Sequence, residues 1–341
     1  EVGSKYITII DKAKASKMNK RYIVNNEELA VTPNERVFDF GAARQESHQY
    51  ASNDMILSVD CSDIFLAFDY KFLSNIINEG KKVKFSYYML NGQGANAVRV
   101  QISRFYNRKR FAWRLKVHEC LYNDFHVNEA MDLPDDTLLT CHIKTNNKNR
   151  IYVSGMILDI ASKAHLSRSM YYLAREFYYH GRWRSAIKLM GEYCERKDAW
   201  FIEKSSGYCI IGECYEQLED IDNAVVNYNK AFDIYPIRRT PLIKLGYLFD
   251  KLGMEEIDWD KKKLLYRKAL IYGISALEIP QGLCVFEEDM SNYSYKAHEI
   301  IYRSASNLGD GEREKAKFHY KKALELSGGA SWIAQHSKCF E

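Results

Sequence analysis

In the stretch NDMILSVDCSDIF (53–65) an apolar run ends on two aspartates, Asp60 and Asp63, with Cys61 and Ser62 between them. Ligands of open α/β sheets bind beyond the carboxyl ends of the strands. Carboxylates placed there can hold a divalent cation, and the cation can hold a diphosphate. Asp11 closes a second apolar run, KYITIID (5–11), in the same way. The residues equally suit a plainer arrangement, in which Asp63 caps a helical turn over IFLAF and Asp60 is a solvated loop residue. His118 and Glu119 set a base beside an acid: Glu119 is a candidate general base for a hydroxyl proton, and His118 would position it. The plainer reading is an exposed polar pair. His142, in LLTCHIK (138–144), offers a neutral imidazole to a metal or is an ordinary half-buried histidine. RFYNRKRFAWRLK (104–116) carries six positive charges among Phe105, Tyr106, Phe111 and Trp113. That mixture can stack single-stranded nucleic acid. Alternation along strands gives the same mixture in a half-buried hairpin with a basic outer face, and such a face, set against an acidic metal site, could hold diphosphate or acceptor; we rank both readings above nucleic acid.

The elements that must position these residues fall into two halves. Residues 1–150 read as mixed α/β. KYITIID, RYIVNN (21–26) and MILSVD (55–60) are strands, the last a continuous apolar run of the kind covered on both faces. FGAARQESHQYASN (40–53) has helical composition, and DYKFLSNIINEG (69–80) is an amphipathic helix closed by Gly80. KVKFSYYML and NAVRVQISRFY read as strands around NGQGAN, a turn rather than a phosphate loop, since no helix or Lys-Ser/Thr pair follows it. The order strand, helix, strand predicts an open, largely parallel sheet.

From about residue 165 strand signals fade and a repeat begins. SSGYCIIGECYEQLEDIDNAVVNYNKAFDIYP (205–236) places Gly212, Tyr215, Ala224, Tyr228, Ala231 and Pro236 at the offsets of a tetratricopeptide repeat. Gly212 and Ala224 let two helices touch, Tyr215 and Tyr228 fill the space that remains, and Pro236 stops the second helix. Further copies begin near 167 and 239, and a degenerate one near 297 keeps Ala316, Tyr320 and Ala323. Solenoids of this kind present concave surfaces to peptides or neighbouring subunits.

Composition narrows the classes. The chain has 341 residues and 46% hydrophobic content, enough for two domains with cores. A net charge of +4 calls for neither nucleic acid nor a charged membrane. No apolar run reaches the roughly 18–20 residues of a membrane helix, and EVGSKYITII lacks the pattern of a signal peptide. Eight cysteines without Cys-x-x-Cys or zinc-finger spacing read as free thiols in a reducing compartment, and the expected location is cytoplasmic.

FDFGAARQESHQYASNDMILSVDCSDIF (38–65) resembles the nucleotide-sugar-binding core of family 2 glycosyltransferases. Phe40, Ala43 and Arg44 fit the helix of that core, Asp54 its turn and Asp60 its first metal aspartate. Arg104, Phe105, Val117, His118 and Glu119 match a later segment, and His142 a later strand. YYLAREFYYHGRWRSAI (171–187) resembles the first repeat of the subgroup that fuses this transferase to tetratricopeptide repeats. The resemblance implies an α/β GT-A-like (Rossmann-like) domain at 1–155 and an all-α tetratricopeptide-repeat solenoid at 165–341. It implies transfer of a sugar from a nucleotide-sugar donor to a protein or glycan acceptor. Donor contacts would be Asp11, Arg44 and Asp60. Asp60, Asp63 and His142 would hold manganese or magnesium, and Glu119 and His118 would be catalytic. Two departures weaken the donor site: the second metal aspartate falls on Ser62, and the expected Asp-x-Gly-Ser-x-Asp run reads DKAKASKM. Metal would therefore bind weakly. The rival expectation is a catalytically degenerate transferase fold acting as a scaffold. In either case the repeats are expected to bind a peptide, a protein or a second copy of the chain.

Overall fold

A computed structural model describes residues 21–24, 27–30, 38–80, 83–91, 98–122, 130–142, 152–161, 166–280 and 288–340. KYITIID, with Asp11, and most of the NGQGAN turn lie outside the described residues. Contacts divide the chain into two compact units, Glu1–Met89 with Gln101–Glu203, and Leu90–Val100 with Lys204–Glu341.

The first unit begins with an antiparallel hairpin of β1 (Arg21–Val24) and β2 (Glu27–Ala30). Helix α1 (Phe40–Ser47) follows, capped by the Asp39 carboxylate on the Ala42 N–H. A sheet is then built from β3 (Met55–Leu57), β4 (Asp63–Phe68), β5 (Lys84–Asn91), β6 (Val98–Asn107), β9 (Ala130–Asp132) and β10 (Leu138–His142). Its order is β6-β5-β10-β4, with β3 on β6 and β9 on β5. The registers of β10 with β4 and of β3 with β6 are antiparallel, and that of β5 with β9 is parallel. The expectation of a largely parallel sheet is corrected on this point. Parallel neighbours need a crossover of a dozen residues or more. Among the described residues only one helix, α2 (Tyr70–Asn78), falls between the strands from Met55 to His142. IFLAF is not a helical turn but the body of β4. Asp69 caps α2 and Gly80, at φ +69°, closes it.

Both sheet faces are covered near β3. Met55 and Leu57 pack with Leu73, Phe85, Tyr87, Phe105 and Leu138. Ile56 packs with Val83, Tyr106, Phe111 and Trp113 on the other face. Phe105 and Tyr106, adjacent in β6, therefore serve opposite layers. The basic-aromatic stretch starts in β6 and ends in a second hairpin, β7 (Ala112–Arg114) with β8 (Cys120–Tyr122), with Phe111 and Trp113 buried. Helices α3 (Val153–Ala161), α4 (Leu166–Tyr179) and α5 (Trp183–Cys194) complete the unit.

The second unit is helical. It pairs α6 (Phe201–Gln217) with α7 (Ile221–Ile234), α8 (Thr240–Glu255) with α9 (Trp259–Leu277), and α10 (Lys296–Leu308) with α11 (Arg313–Leu326), then ends on the short α12 (Ser331–Ala334). A Cβ on Gly212 would lie 2.6 Å from the Tyr228 ring, and one on Gly253 2.9 Å from Tyr266. Each glycine admits a tyrosine from the facing helix, as the repeat pattern requires. Within this unit a short strand, β11 (Glu288–Asp289), pairs antiparallel with Arg99 and Val98.

Candidate functional site

The loop after β3 is shaped by its own aspartates. The Asp63 N–H donates to the Asp60 carbonyl at 2.9 Å, and Asp63 Oδ2 accepts from the Asp60 N–H at 2.9 Å. This double closure makes a tight turn of Asp60-Cys61-Ser62-Asp63 and sends the chain directly into β4. The Ser58 N–H donates to the Arg104 carbonyl at 2.8 Å. That bond extends the β3–β6 ladder by one step and brings Arg104 to the mouth of the turn.

Arg44, in the last turn of α1, is the centre of the cluster. Its Nε donates to Glu119 Oε1 at 2.6 Å, one terminal nitrogen to Asp60 Oδ1 at 2.6 Å, and the other to Ser58 Oγ at 3.2 Å. The guanidinium also stands over Trp113, 5.2 Å from the ring centroid. Burial alone would weaken its charge, but the carboxylates of Glu119 and Asp60 outweigh burial and hold its pKa above the usual range. Arg104 binds the remaining oxygen of Asp60 at 2.7 Å and stands 3.6 Å from Asp63 Oδ2. For Asp60, burial favours the neutral acid, yet Arg104 and Arg44 together depress its pKa. Asp63 has no exposed side-chain surface, and its Oδ1 lies 2.8 Å from His142 Nδ1. Ser62 Oγ is 3.2 Å from the same nitrogen.

Glu119 is delivered by the five-residue connection of the β7–β8 hairpin. Leu115 and His118 take positive φ there, 73° and 51°, conformations that side chains other than glycine seldom adopt. Gly41 packs on this connection so closely that a Cβ would stand 2.3 Å from the Leu115 carbonyl. His118 points away from Arg44. It stacks on Tyr172 of α4 with centroids 3.8 Å apart, and its carbonyl accepts from Arg168 Nε at 3.1 Å. Burial, reinforced by Arg175 and Arg168, pushes its pKa down to about 3. The ring is therefore neutral at physiological pH.

Five of the expected site residues, Arg44, Asp60, Asp63, Glu119 and His142, thus come together. His118 packs beside them on α4, and Asp11 is outside the described residues. One donor atom each from Asp60, Asp63 and His142 falls within 4.8 Å of the others, close enough to share a metal ion. Sequence reasoning matched Arg104 to the later segment of the resemblance and set it on the basic face, but did not count it among the site residues. The signal was available: Arg104 is two residues from the buried Tyr106 and so shares its face of the strand. Tyr87 also belongs here. It is fully buried, and its hydroxyl has no hydrogen-bond partner among the described residues. Burial, first, and the nearby Asp63 and Asp60 carboxylates, opposed by Arg104 and Arg44, hold its proton tightly.

A family model of the tetratricopeptide repeat matches residues 205–238, and the chain carries such a repeat there. No curated protein matches the chain. Among solved structures the chain is similar to TTC0263, a thermophilic TPR protein in Thermus thermophilus. Identity is 17%, 48% of this chain and 75% of that chain are covered, and the TM-score is 0.36. It is similar to MamA at 17% identity, with 52% and 86% covered and a TM-score of 0.36. It is similar to BtubC (BKLC) from P. vanneervenii at 17% identity, with 55% and 83% covered and a TM-score of 0.30. Among the described residues no helix is long and apolar enough to cross a membrane.

Proposed function

We propose that this chain is a protein-interaction scaffold: its tetratricopeptide-type helices dock a protein partner, a second copy included. Its first unit is a degenerate transferase-like platform. The observation that carries this reading is the closure of the polar cluster. The general base that donor chemistry needs, Glu119, is bound to Arg44; both oxygens of Asp60 are bound to arginines; His118 is half-buried and stacked on Tyr172. A working site presents such groups to a substrate, whereas here they satisfy one another. The repeat unit does the opposite. On α9, Leu264 and Ile271 are exposed seven residues apart, and Ile257, 96% exposed, precedes them at the same interval.

A second reading, glycosyl transfer from a nucleotide sugar to a protein or glycan, is favoured by one observation. Arg44, Asp60, Asp63, Glu119 and His142 are scattered along the sequence yet meet in one cluster. In this reading Arg44 and Arg104 open to meet the donor diphosphate, and Glu119 then takes the acceptor proton. A divalent metal enters only if Arg104 withdraws from Asp60. Calorimetric titration of the full chain with UDP and with GDP, with and without manganese, decides between the readings. The scaffold reading expects no saturable heat, together with sedimentation coefficients that rise with protein concentration. Saturable nucleotide binding that Arg44→Ala abolishes would install the transferase reading instead.

A further inference from the structure

The cluster that most resembles a metal site is also the one most densely occupied by guanidinium. We propose that Arg104 closes the Asp60–Asp63–His142 triad to divalent cations, so that the native cluster is metal-free and a latent cation site lies beneath one arginine. This does not rest on the scaffold reading, because it concerns only which cation these carboxylates accept.

Three observations carry it. The first is occupancy. Asp60 Oδ1 accepts from Arg44 at 2.6 Å and Asp60 Oδ2 from Arg104 at 2.7 Å. Asp63 Oδ1 faces His142 Nδ1 at 2.8 Å, and Asp63 Oδ2 accepts from the Asp60 N–H at 2.9 Å. Every carboxylate oxygen of the triad already has a hydrogen-bonding partner. Manganese and magnesium draw mainly on such oxygens and ask for about six ligands in near-octahedral geometry.

The second is the imidazole. The nitrogen within reach of the other donors is His142 Nδ1. That nitrogen is already engaged twice, by Asp63 Oδ1 at 2.8 Å and by Ser62 Oγ at 3.2 Å. An ion could take it only by displacing both contacts. The third is charge. A dication at the triad would sit against two guanidinium groups fixed on the same carboxylate, Asp60. Their repulsion is strong in a partly desolvated place and weakly screened by salt. Of the two, Arg104 alone bridges Asp60 and Asp63, so it stands where a shared ion would stand. Arg44 is also tied to Glu119 and Ser58, which holds it to one side.

The proposal predicts a gain of function from a loss of charge. The probe is manganese alone, added to the full chain at pH 7.5, with free Mn²⁺ read by electron paramagnetic resonance. Wild type should leave the ion free at protein and metal concentrations near those of a weak surface site. Arg104→Gln, which removes the charge and keeps a polar side chain, should bind one equivalent at least tenfold more tightly than wild type. Arg104→Lys, still cationic, should show no gain. Adding Asp60→Asn to Arg104→Gln should remove the gain. Two results would overturn the idea: wild type binding one equivalent that Asp60→Asn abolishes, or folded Arg104→Gln binding no better than wild type. Should Arg104→Gln fail to fold, the comparison of wild type with Asp60→Asn still decides. Binding that this substitution abolishes refutes the plug, and its absence sustains it.

Discussion

Around Arg44 the chain is held by charge; around Gly212 it is held by shape. Arg44 reaches Glu119, Asp60 and Ser58, residues brought together by a helix, a turn and a hairpin connection. Gly212 simply leaves room, and Tyr228 fills it. The first arrangement is directional and depends on pH, and each group in it loses its purpose if its partner goes. The second has few polar atoms and depends on volume. The lesson concerns tolerance: the repeat should suffer most from a hole, the cluster from an unpaired charge.

The largest effect should come from the hole. Tyr228 is completely buried against Gly212, and its hydroxyl donates to Glu216. Tyr228→Ala should cost about 3–5 kcal/mol, the range for deleting a buried aromatic ring. Denaturant unfolding followed by circular dichroism at 222 nm measures it. A cost below about 1 kcal/mol would mean that the helices collapse onto the gap and shape is not what holds the repeat.

Arg44→Ala tests the charge side. It strands Glu119, whose cation in the cluster is Arg44, and leaves Asp60 to Arg104. Removing one partner of a fully buried pair costs about 3–5 kcal/mol. Asp60 retains 32% of its side-chain surface, so solvent offsets part of that, and about 2 kcal/mol is expected. Combining Arg44→Ala with Glu119→Gln should recover part of the loss, since the second change removes the stranded charge. A double-mutant cycle with no coupling would show that the two residues are merely adjacent.

These contrasts explain what could be read in advance. The repeat was legible because its determinants are local: Gly212, Tyr215, Ala224 and Tyr228 lie within one helical hairpin, and their offsets follow from helix geometry. The cluster was legible only as residue types. Arg44 and Glu119 are 75 positions apart, and Asp63 and His142 are 79 apart. Nothing local says that an arginine faces an acid rather than solvent: strand alternation puts Arg104 on the face of Tyr106 but does not set it against Asp60. The parallel sheet was misjudged because it was read from the order strand, helix, strand, and one helix between two strands does not make them neighbours; the buried apolar run shows how a strand is covered but not which way its neighbour runs. β3 is indeed packed on both faces, yet its partner β6 is antiparallel.

His118 gives the cluster side a pH signature that the repeat side lacks at Tyr228. Its folded pKa, about 3, lies below the ordinary histidine value of 6.5. Above 6.5 the ring is neutral in both states, and the stability of the stack is fully present. As pH falls below 6.5 the unfolded chain takes up a proton that the folded chain refuses. Stability then drops by up to about 1.4 kcal/mol per pH unit until the folded pKa is reached. Asp159 opposes this. Burial, chiefly, raises its folded pKa to about 6, so its share of stability grows as pH falls from about 6 to about 4. The net slope should be a shallow loss between pH 6.5 and 4. His118→Phe keeps a ring against Tyr172, removes this titration and should make the loss smaller than in wild type, with His298, held down to about 4 by burial first and by His319, supplying part of what remains. Midpoints of urea unfolding at half-unit pH steps would show it. Parallel curves for wild type and variant would exclude His118 as the acid sensor.

The smallest effect on stability should accompany the clearest effect on partnership. Leu264 and Ile271 are exposed on α9, and Ile257 precedes them at the same seven-residue interval. Residues spaced by seven share one side of a helix and form the seam by which helices pair. Lys261 and Arg267 lie exposed beside them, with no ion pair among the described residues. Replacing surface residues of this kind usually changes folding stability by no more than about 0.5 kcal/mol. Leu264→Asp with Ile271→Asp should therefore unfold at nearly the wild-type denaturant midpoint. If the repeats associate through this side, two buried carboxylates in the seam have no partner, and burying them is far costlier than exposing them in the free chain. Sedimentation velocity across a hundredfold range of concentration should show wild type shifting to a larger species and the double variant remaining at the monomer value. An association that the double variant retains would move the contact to another surface of the repeats. A wild type that stays monomeric throughout would leave the seam to a protein of different sequence.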